Sequence, residues 1–466
     1  MGLMRQSPLS KKLLPEQEDA AVFASSKNGS ALFCEQRTGK TLITLRVVEL
    51  TKAQECLFVV PLTNKHSTWT KLCGVFLKDY QVFTDWPKYK KATGKKILVV
   101  HYEELGDKKR NGRVVSRGII TKLARHKGWD LVVFDESQRL KARGSLASRC
   151  ARRLRHARRR IVLSGTPIDK TPIDVWGQLR FADHTVFGDR WSDFDEKYLR
   201  PTGFMGYQRK FKEGAEEKFL RKLEKVAMRV ERADLGIKEA HLTKFPVSML
   251  GEQRRLYEKL EETAVLKIRG AKIKTPLKVT QMVKLQQLTS GFIFDEDKNI
   301  TWTGSAKMRK LQWLLNRVKH RTPIVIFCRY LPEIEMIAKY CRSLFKCVEV
   351  LHGKVKDKKK DPARTRLLEK FQSGGIDVLI AQIKTGGVGV DMFASSCAII
   401  MSRTFSYIDD DQVRARLLGL GKTERIDFFL IYVKGTIDED IDIAVEEKCS
   451  VTKTVLKRLR RKTKWH

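Results

Sequence analysis

Residues Glu35, Gln36, Arg37, Thr38, Gly39, Lys40 and Thr41 follow the apolar run Ala31–Phe33 and precede an apolar-periodic stretch from Leu42 to Leu50. A Gly-Lys-Thr loop between a strand and a helix admits few folds. The strand belongs in a parallel sheet, and the helix packs on that sheet with its N-terminus aimed back at the loop. Such a terminus offers free N–H groups and a partial positive charge, which suit a phosphate. Lys40 is then placed for the β- and γ-oxygens of a nucleotide and the Thr41 hydroxyl for Mg²⁺, with Thr38 and Gly39 shaping the cradle. About a hundred residues on, Val132, Val133 and Phe134 run into Asp135 and Glu136. An apolar strand that delivers two carboxylates to its C-terminal end puts them where ligands gather in open α/β sheets. Asp135 is expected in the magnesium shell, with Glu136 polarising an attacking water. The two stretches together predict ATP hydrolysis, with ATP and Mg²⁺ as cofactors.

The rest of the chain repeats the strand–helix alternation. Apolar, β-branched-rich runs at 57–60, 97–100, 131–134 and 161–163, and again at 324–327, 348–351, 378–380, 398–401 and 428–432, read as buried parallel strands. At 466 residues the chain exceeds one ordinary core. The expected fold is therefore α/β: two parallel-sheet lobes in tandem, residues 1–240 and 241–466, with helical extensions between roughly Asp183 and Thr322.

Charge narrows the partners. Lys and Arg number 93 against 54 Asp and Glu, a net +39, which calls for a polyanion. No apolar run reaches the roughly 20 residues of a spanning helix, and the start of the chain shows no signal peptide. Nucleic acid is thus the expected partner, not membrane. The nine cysteines are scattered, with no C-x-x-C pair. That pattern predicts a reducing compartment, the cytoplasm, and no zinc site. Arg139 to Arg160 holds ten basic residues and no acid, and 354–360 and 457–464 are basic as well. Each run could be a solvated face, but three together favour phosphate contact. The aromatics Trp191, Phe204, Tyr207 and Phe211 lie among basic residues; packing of the extension is their expected role, and base stacking the alternative.

Further motifs fall in an order that resembles superfamily-two helicase-type ATPases, in particular the compact Swi/Snf-type DNA translocases of bacteria and phage. Leu14, Pro15 and Gln17 are similar to that family's adenine-reading motif. Pro61, Lys65 and Trp69 sit in its first strand-contacting segment, and Ser164, Gly165, Thr166 and Pro167 in the motif that couples hydrolysis to lobe movement. In the second half, Arg329, His352, Lys384, Thr385 and Gly386 occupy strand-binding positions. Gly389 and Asp391 fall where the nucleotide ribose is met, and Gln412 and Arg416 in the sixth motif. The resemblance implies RecA-like lobes with an ATP cleft between them, Arg416 acting on the γ-phosphate, and a monomer stepping along DNA, RNA being the alternative track.

The chain departs from the family at several points. Cys34 replaces the first glycine of the phosphate loop, and Arg37 stands where glycine is common. Gln138 replaces the fourth residue of the Asp-Glu-Ala-His signature. In the sixth motif the second arginine is Gly419 and the final glutamine Lys422, leaving Arg414 as the nearest substitute. An arginine finger contributes several powers of ten in rate. Three readings follow: a DNA-stimulated ATPase that translocates on duplex, a strand-separating helicase, or an ATP-gated clamp with weak hydrolysis.

Overall fold

The computed structural model describes residues 9, 12–110, 113–168, 173–202, 208–249, 251–263, 265–268, 271–274, 278–353, 355, 363–386 and 391–457. It forms two compact units, Met1–Gly236 with Ser450–His466, and Ile237–Cys449. The expected boundary was at 240.

In the first unit, helix α1 (Pro15–Ser25) leads to strand β1 (Gly29–Leu32), and the phosphate-loop segment leads to helix α2 (Lys40–Thr51). Strands β2 (Glu55–Val60), β3 (Gln81–Phe83), β4 (Lys96–His101), β5 (Leu131–Phe134), β6 (Arg159–Leu163) and β7 (Ala227–Met228) complete a seven-stranded sheet in the order β7-β1-β6-β5-β2-β4-β3. Every pairing is parallel. Strands covered on both faces must be apolar throughout, hence the unbroken runs instead of alternation. Helices α3 (Asp174–Ala182), α4 (Trp191–Tyr198) and α5 (Ala215–Leu223) form the extension. An aromatic cluster, Trp176, Phe187, Phe194, Tyr198 and Phe219, fastens it to the sheet as part of one core. Trp191 lies 5.2 Å from Trp176 and Phe211 lies 5.3 Å from Phe219, ring to ring. Both rings pack on the extension; Phe204 and Tyr207 lie outside the described residues.

The second unit contains strands β8 (His241–Val247), β9 (Ile324–Cys328), β10 (Val348–Leu351), β11 (Val378–Gln382), β12 (Cys397–Ile400) and β13 (Asp427–Val433), ordered β8-β13-β12-β9-β11-β10 and again all parallel. Its helical extension, α6 (Glu252–Thr263) and α7 (Lys278–Thr289), packs Leu256, Leu260 and Leu288 with Ile437 and Ile441 of the last helix, α9 (Ile437–Lys457). Among the described residues, the region expected to be helical also carries three antiparallel strand pairs, 199–202 with 208–211, 265–268 with 271–274 and 292–294 with 300–302. The edge strand β8 carries exposed and half-buried residues and β7 is two residues long, so their apolar signal is weak in the sequence. Both lobes are RecA-like α/β units.

Candidate active site

Register assembles the site. Leu32 of β1 pairs with Leu163 of β6, and Val162 of β6 with Phe134 of β5. The segments that follow those strands therefore leave the sheet at one edge: the phosphate loop, Ser164 to Thr166, and Asp135 with Glu136. Three motifs spread between residues 35 and 166 of the sequence become neighbours by parallel pairing alone.

The loop is tight. Gly39 has φ +83° as the N-cap of α2, and a Cβ there would fall 2.6 Å from Gln17 Nε2. Glycine is the residue that tolerates both the left-handed backbone and the close approach. Lys40 Nζ donates to the carbonyls of Cys34 and Glu35, each at 3.0 Å, and Thr38 Oγ1 donates to the Glu35 carbonyl at 2.8 Å. Gln17 is buried; its Nε2 donates to the Thr38 carbonyl and its Oε1 accepts the Leu14 N–H, both at 2.9 Å. Its amide holds the phosphate loop to the start of α1. Glu35 accepts from Arg229 Nη2 at 2.8 Å and from the Arg232 N–H at 2.9 Å, so the segment after β7 braces the loop from behind. Cys34 is fully buried and its thiol is pushed up to about 11 by burial, so it acts as an inert filler where the family has glycine. Thr41 occupies the first turn of α2 and is half-buried.

The carboxylates sit on a hydrogen-bonded frame. Trp69 Nε1 donates to Asp135 Oδ2 at 2.9 Å, and the Glu136 N–H donates to Oδ1 at 2.9 Å. The Tyr102 hydroxyl donates to the Asp135 carbonyl at 2.6 Å. Burial, reinforced by the Glu136 charge and opposed by Lys40, pushes the Asp135 carboxyl up to about 6. Glu136 adopts φ +52°, a left-handed backbone that costs a non-glycine residue about 1 kcal/mol or more. Its Oε1 accepts from Gln36 Nε2 at 3.2 Å and its Oε2 from Gln138 Nε2 at 2.6 Å. Gln138 Oε1 accepts from Ser164 Oγ at 2.7 Å, and Ser164 Oγ accepts the Thr166 N–H at 3.1 Å. One chain of bonds thus joins Gln36 of the phosphate-loop segment, Glu136, and Ser164 with Thr166. Gln138 is its middle link, which gives the departure at that position a purpose. Gly165 lies against Gln36, whose Nε2 would be 2.9 Å from an added Cβ.

Magnesium and nucleotide fit these residues. An ammonium, a helix N-terminus and a buried acid pair converge there, and Thr166 Oγ1 is buried without a hydrogen-bond partner among the described residues.

The strand-contacting expectations need two corrections. Lys65 is 4% exposed, and its Nζ donates to Glu104 at 2.8 Å and to the Thr84 carbonyl at 3.0 Å. Trp69 is fully buried on Phe58, with ring centroids 5.0 Å apart. Neither can reach a nucleic acid strand: an interior ammonium needs its carboxylate, and an interior indole spends its N–H on Asp135. Pro61 is buried too, and the exposed residues of this segment are Leu62, His66 and Ser67. Part of the basic run 139–160 is likewise structural. Arg155 and Arg180 bind Asp189 at 2.9 and 2.8 Å, while Arg159 and Arg160 donate to carbonyls at 2.9 Å.

In the second unit, Arg329, His352 and Lys384 follow β9, β10 and β11, adjacent strands, and so share one sheet edge. The Arg329 guanidinium bonds Gln286 Oε1, and its N–H donates to Ser402 Oγ at 2.8 Å. Thr385 and Gly386 close the turn Ile383–Gly386. Gly389 and the basic stretches 356–360 and 458–464 lie outside the described residues. Asp391 Oδ1 accepts the Phe393 N–H at 3.0 Å, and the Arg416 carbonyl accepts the Met392 N–H at 3.2 Å, so the fifth and sixth motifs meet. Gln412 is buried in helix α8 (Tyr407–Ala415). Gly419 is packed against Phe393: an added Cβ would fall 2.7 Å from the ring. Lys422 Nζ donates to the Phe393 carbonyl at 2.6 Å. Arg414, the substitute considered for the missing finger, pairs with Asp410 at 2.8 Å.

Sequence reasoning gave Arg229, Gln36, Tyr102 and Gln178 no individual role, yet Gln178 accepts from Ser137 Oγ and donates to the Pro167 carbonyl, both at 2.7 Å. The Arg229–Glu35 bond spans 194 residues, and no local pattern marks it.

Comparison with known proteins supplies the family. A SNF2-related domain matches residues 24–290 and a helicase conserved C-terminal domain matches residues 306–419. YwqA of Bacillus subtilis, which carries the name of an ATP-dependent helicase/translocase, is 23% identical over 344 residues, covering 70% of this chain and 36% of its own length. The SWI/SNF chromatin-remodeling complex subunit snf22 of Schizosaccharomyces pombe is 25% identical over 341 residues, covering 67% of this chain and 20% of its own. The chain thus spans about a third or less of the length of these relatives. Among solved structures, the Sulfolobus solfataricus SWI2/SNF2 ATPase core in complex with dsDNA aligns over 100% of both chains at 18% identity, with a TM-score of 0.42. The chain belongs to the SNF2-related family of helicase-type proteins, its SNF2-related domain followed by a helicase conserved C-terminal domain.

Proposed function

We propose that the chain is an ATPase stimulated by nucleic acid that translocates on DNA, duplex in preference to single strands, and thereby remodels DNA structures or displaces bound proteins. The observation that carries this reading is the bond chain from Gln36 through Glu136 and Gln138 to Ser164 and Thr166. It ties the groups that would feel a γ-phosphate to the segment assigned to coupling.

Lys40 and the first turn of α2 bind the phosphates, the lysine exchanging its two loop carbonyls for them. Thr41 and Asp135 hold magnesium, which supplies charge neutralisation on the transferring phosphoryl group when bound. Glu136 accepts a proton from the attacking water, and Gln36 and Gln138 fix its two oxygens for that task. Ser164 and Thr166 sense the change at Gln138, because losing either of its bonds turns the amide. Arg416 is the arginine assigned to the γ-phosphate, since Arg414 is held by Asp410. Arg329, His352, Lys384, Thr385, Gly386 and the basic surface supply phosphate contacts to DNA.

A nucleotide-gated clamp with weak hydrolysis is the second reading, favoured by the packing of Gly419 on Phe393. Steady-state ATP hydrolysis without nucleic acid and with single-stranded DNA, duplex DNA and RNA separates the readings. Strong stimulation by duplex, cut about a hundredfold or more by Lys40→Ala and by Glu136→Gln, is the expected result. Turnover no faster than in those variants, with ATP still bound, moves the conclusion to the clamp. Stimulation by single strands or RNA alone, with release of a labelled strand from a fork, moves it to a strand-separating helicase.

A further inference from the structure

Arg37 breaks a backbone rule inside the phosphate loop. The Thr38 N–H donates to the Glu35 carbonyl at 3.4 Å and closes a tight turn over residues 35–38. Arg37 is the third residue of that turn, with φ +73°. A left-handed third residue calls for glycine, because a Cβ there crowds the main chain. Among the described residues, three other non-glycine residues share the left-handed backbone: Lys52, Glu136 and Lys298. Lys52 and Lys298 are exposed, whereas Glu136 is buried and Arg37 half-buried. Two of the four strained residues thus belong to the nucleotide site, and strain of this kind collects where function holds it.

The neighbours of Arg37 fix where it stands. Gln36 on one side bonds Glu136 at 3.2 Å, and Thr38 Oγ1 on the other donates to the Glu35 carbonyl at 2.8 Å. The Lys40 ammonium folds back over the same turn, 3.0 Å from the Cys34 and Glu35 carbonyls. Arg37 and Lys40 are separated by at most about 11 Å of chain, so two long basic side chains can meet one ligand. The site also has a deficit of positive charge. Two buried carboxylates, Asp135 and Glu136, would meet a nucleotide that is itself an anion. Gly419 stands where the family has its second arginine, and Arg414 is held by Asp410 at 2.8 Å.

We propose that Arg37 is a catalytic residue: its guanidinium binds the terminal phosphates from within the loop and supplies, from the first lobe, the transition-state charge that is missing at Gly419. The proposal rests on the reading of the chain as an ATPase. As the water oxygen bonds the γ-phosphorus, the bond from that phosphorus to the bridging oxygen breaks. ADP keeps the electron pair, and the water proton passes to Glu136. Negative charge therefore grows on the leaving β-phosphate oxygen, beside a loop that already carries a cation. An arginine supplied in cis stabilises such charge without waiting for a second element to arrive. The left-handed backbone is the stability cost of placing it there.

The test separates ground-state binding from transition-state charge. Fluorescent ADP is titrated onto the full chain in magnesium, with and without fluoroaluminate, which mimics the transferring phosphoryl group. In the wild type fluoroaluminate is expected to tighten ADP about a hundredfold. Arg37→Gly is expected to bind ADP alone within about threefold of the wild type and to lose about tenfold or more of that tightening. Its duplex-stimulated turnover should fall about a hundredfold. It should also unfold at a higher temperature, since glycine relieves the turn. Arg37→Lys, which keeps the charge, is expected to retain the larger part of the tightening. Tightening or turnover at the wild-type level in Arg37→Gly overturns the proposal. So does an equal loss with and without fluoroaluminate, because a group that binds ground and transition states alike does not accelerate the chemistry. A wild type that hydrolyses ATP no faster than Lys40→Ala overturns the ATPase reading and the proposal with it, and the wild-type rate alone identifies that case.

Discussion

Two buried charge clusters, one in each lobe, are handled in opposite ways. In the first, Asp135 lies 5% exposed and is held by neutral donors, an indole N–H and a backbone N–H, with Glu136 next to it. In the second, Arg403 makes a two-pronged pair with Asp410 at 2.8 and 2.9 Å and also bonds Asp442, while Arg414 and Lys244 close the network at 2.8 and 2.6 Å. The first arrangement leaves a carboxylate short of positive charge, which a cation can supply. The second satisfies its charges internally and leaves nothing for a ligand. An acid kept waiting costs stability; a closed ion network fixes a helix. Site and scaffold are distinguished by whether the charge is balanced.

Breaking the network should produce the largest effect. Arg403→Met leaves buried Asp410 with Arg414 alone and Asp442 with Lys244 alone, and the second lobe is expected to lose up to about 3–5 kcal/mol, read in urea unfolding. Asp135→Asn should act with the opposite sign. The carboxyl, raised from 3.8 to about 6, binds its proton more tightly when folded, so stability falls as pH rises through that window and the cost is complete above it. The variant is therefore expected to be more stable by roughly 3 kcal/mol or less at pH 7.5 in chelator, with the gain gone below pH 4. A destabilised Asp135→Asn at neutral pH would erase the contrast between the lobes.

Two smaller changes sharpen it. Gly419→Arg restores the family residue, but its Cβ would meet the Phe393 ring at 2.7 Å. The expected result is a loss of about 1–3 kcal/mol in thermal unfolding with no gain in ATP turnover. Faster turnover instead would show that the loop yields and the arginine reaches its target. Gln17→Ala removes the hydrogen bond to the Thr38 carbonyl of the phosphate loop and the one from the Leu14 N–H that anchors it to the start of α1. Loss of loop order worth about 1 kcal/mol should weaken ATP and GTP binding alike, about fivefold. A loss confined to ATP would restore the adenine-reading role implied by the resemblance.

Most of the sheet was legible because fully buried parallel strands must be continuous apolar runs, and runs such as 97–100 and 324–327 have no competing interpretation. The edge strand His241–Val247 escaped for the same reason reversed: it mixes exposed and half-buried residues and does not read as buried. Of the site, the Lys40 and Asp135–Glu136 motifs were legible because phosphate and metal chemistry restrict residue type and spacing. The bracing residues were not. Arg229, Gln36 and Gln178 are polar side chains whose partners depend on strand order, and any surface loop could hold such residues.

Lys65 and Trp69 show where the limit falls. The sequence places them in the right segment, one turn past β2, and marks them as a cation and an aromatic suited to a strand of DNA. Which way each side chain faces is decided by the neighbours across the sheet, Glu104 for one and Asp135 for the other. Family, fold and the candidates for phosphate and metal ligation are legible in the sequence alone, because local geometry and chemistry suffice to constrain them. Burial, charge pairing and the wiring between motifs are decided by tertiary structure, because desolvation is a property of everything packed around a group and not of the group itself.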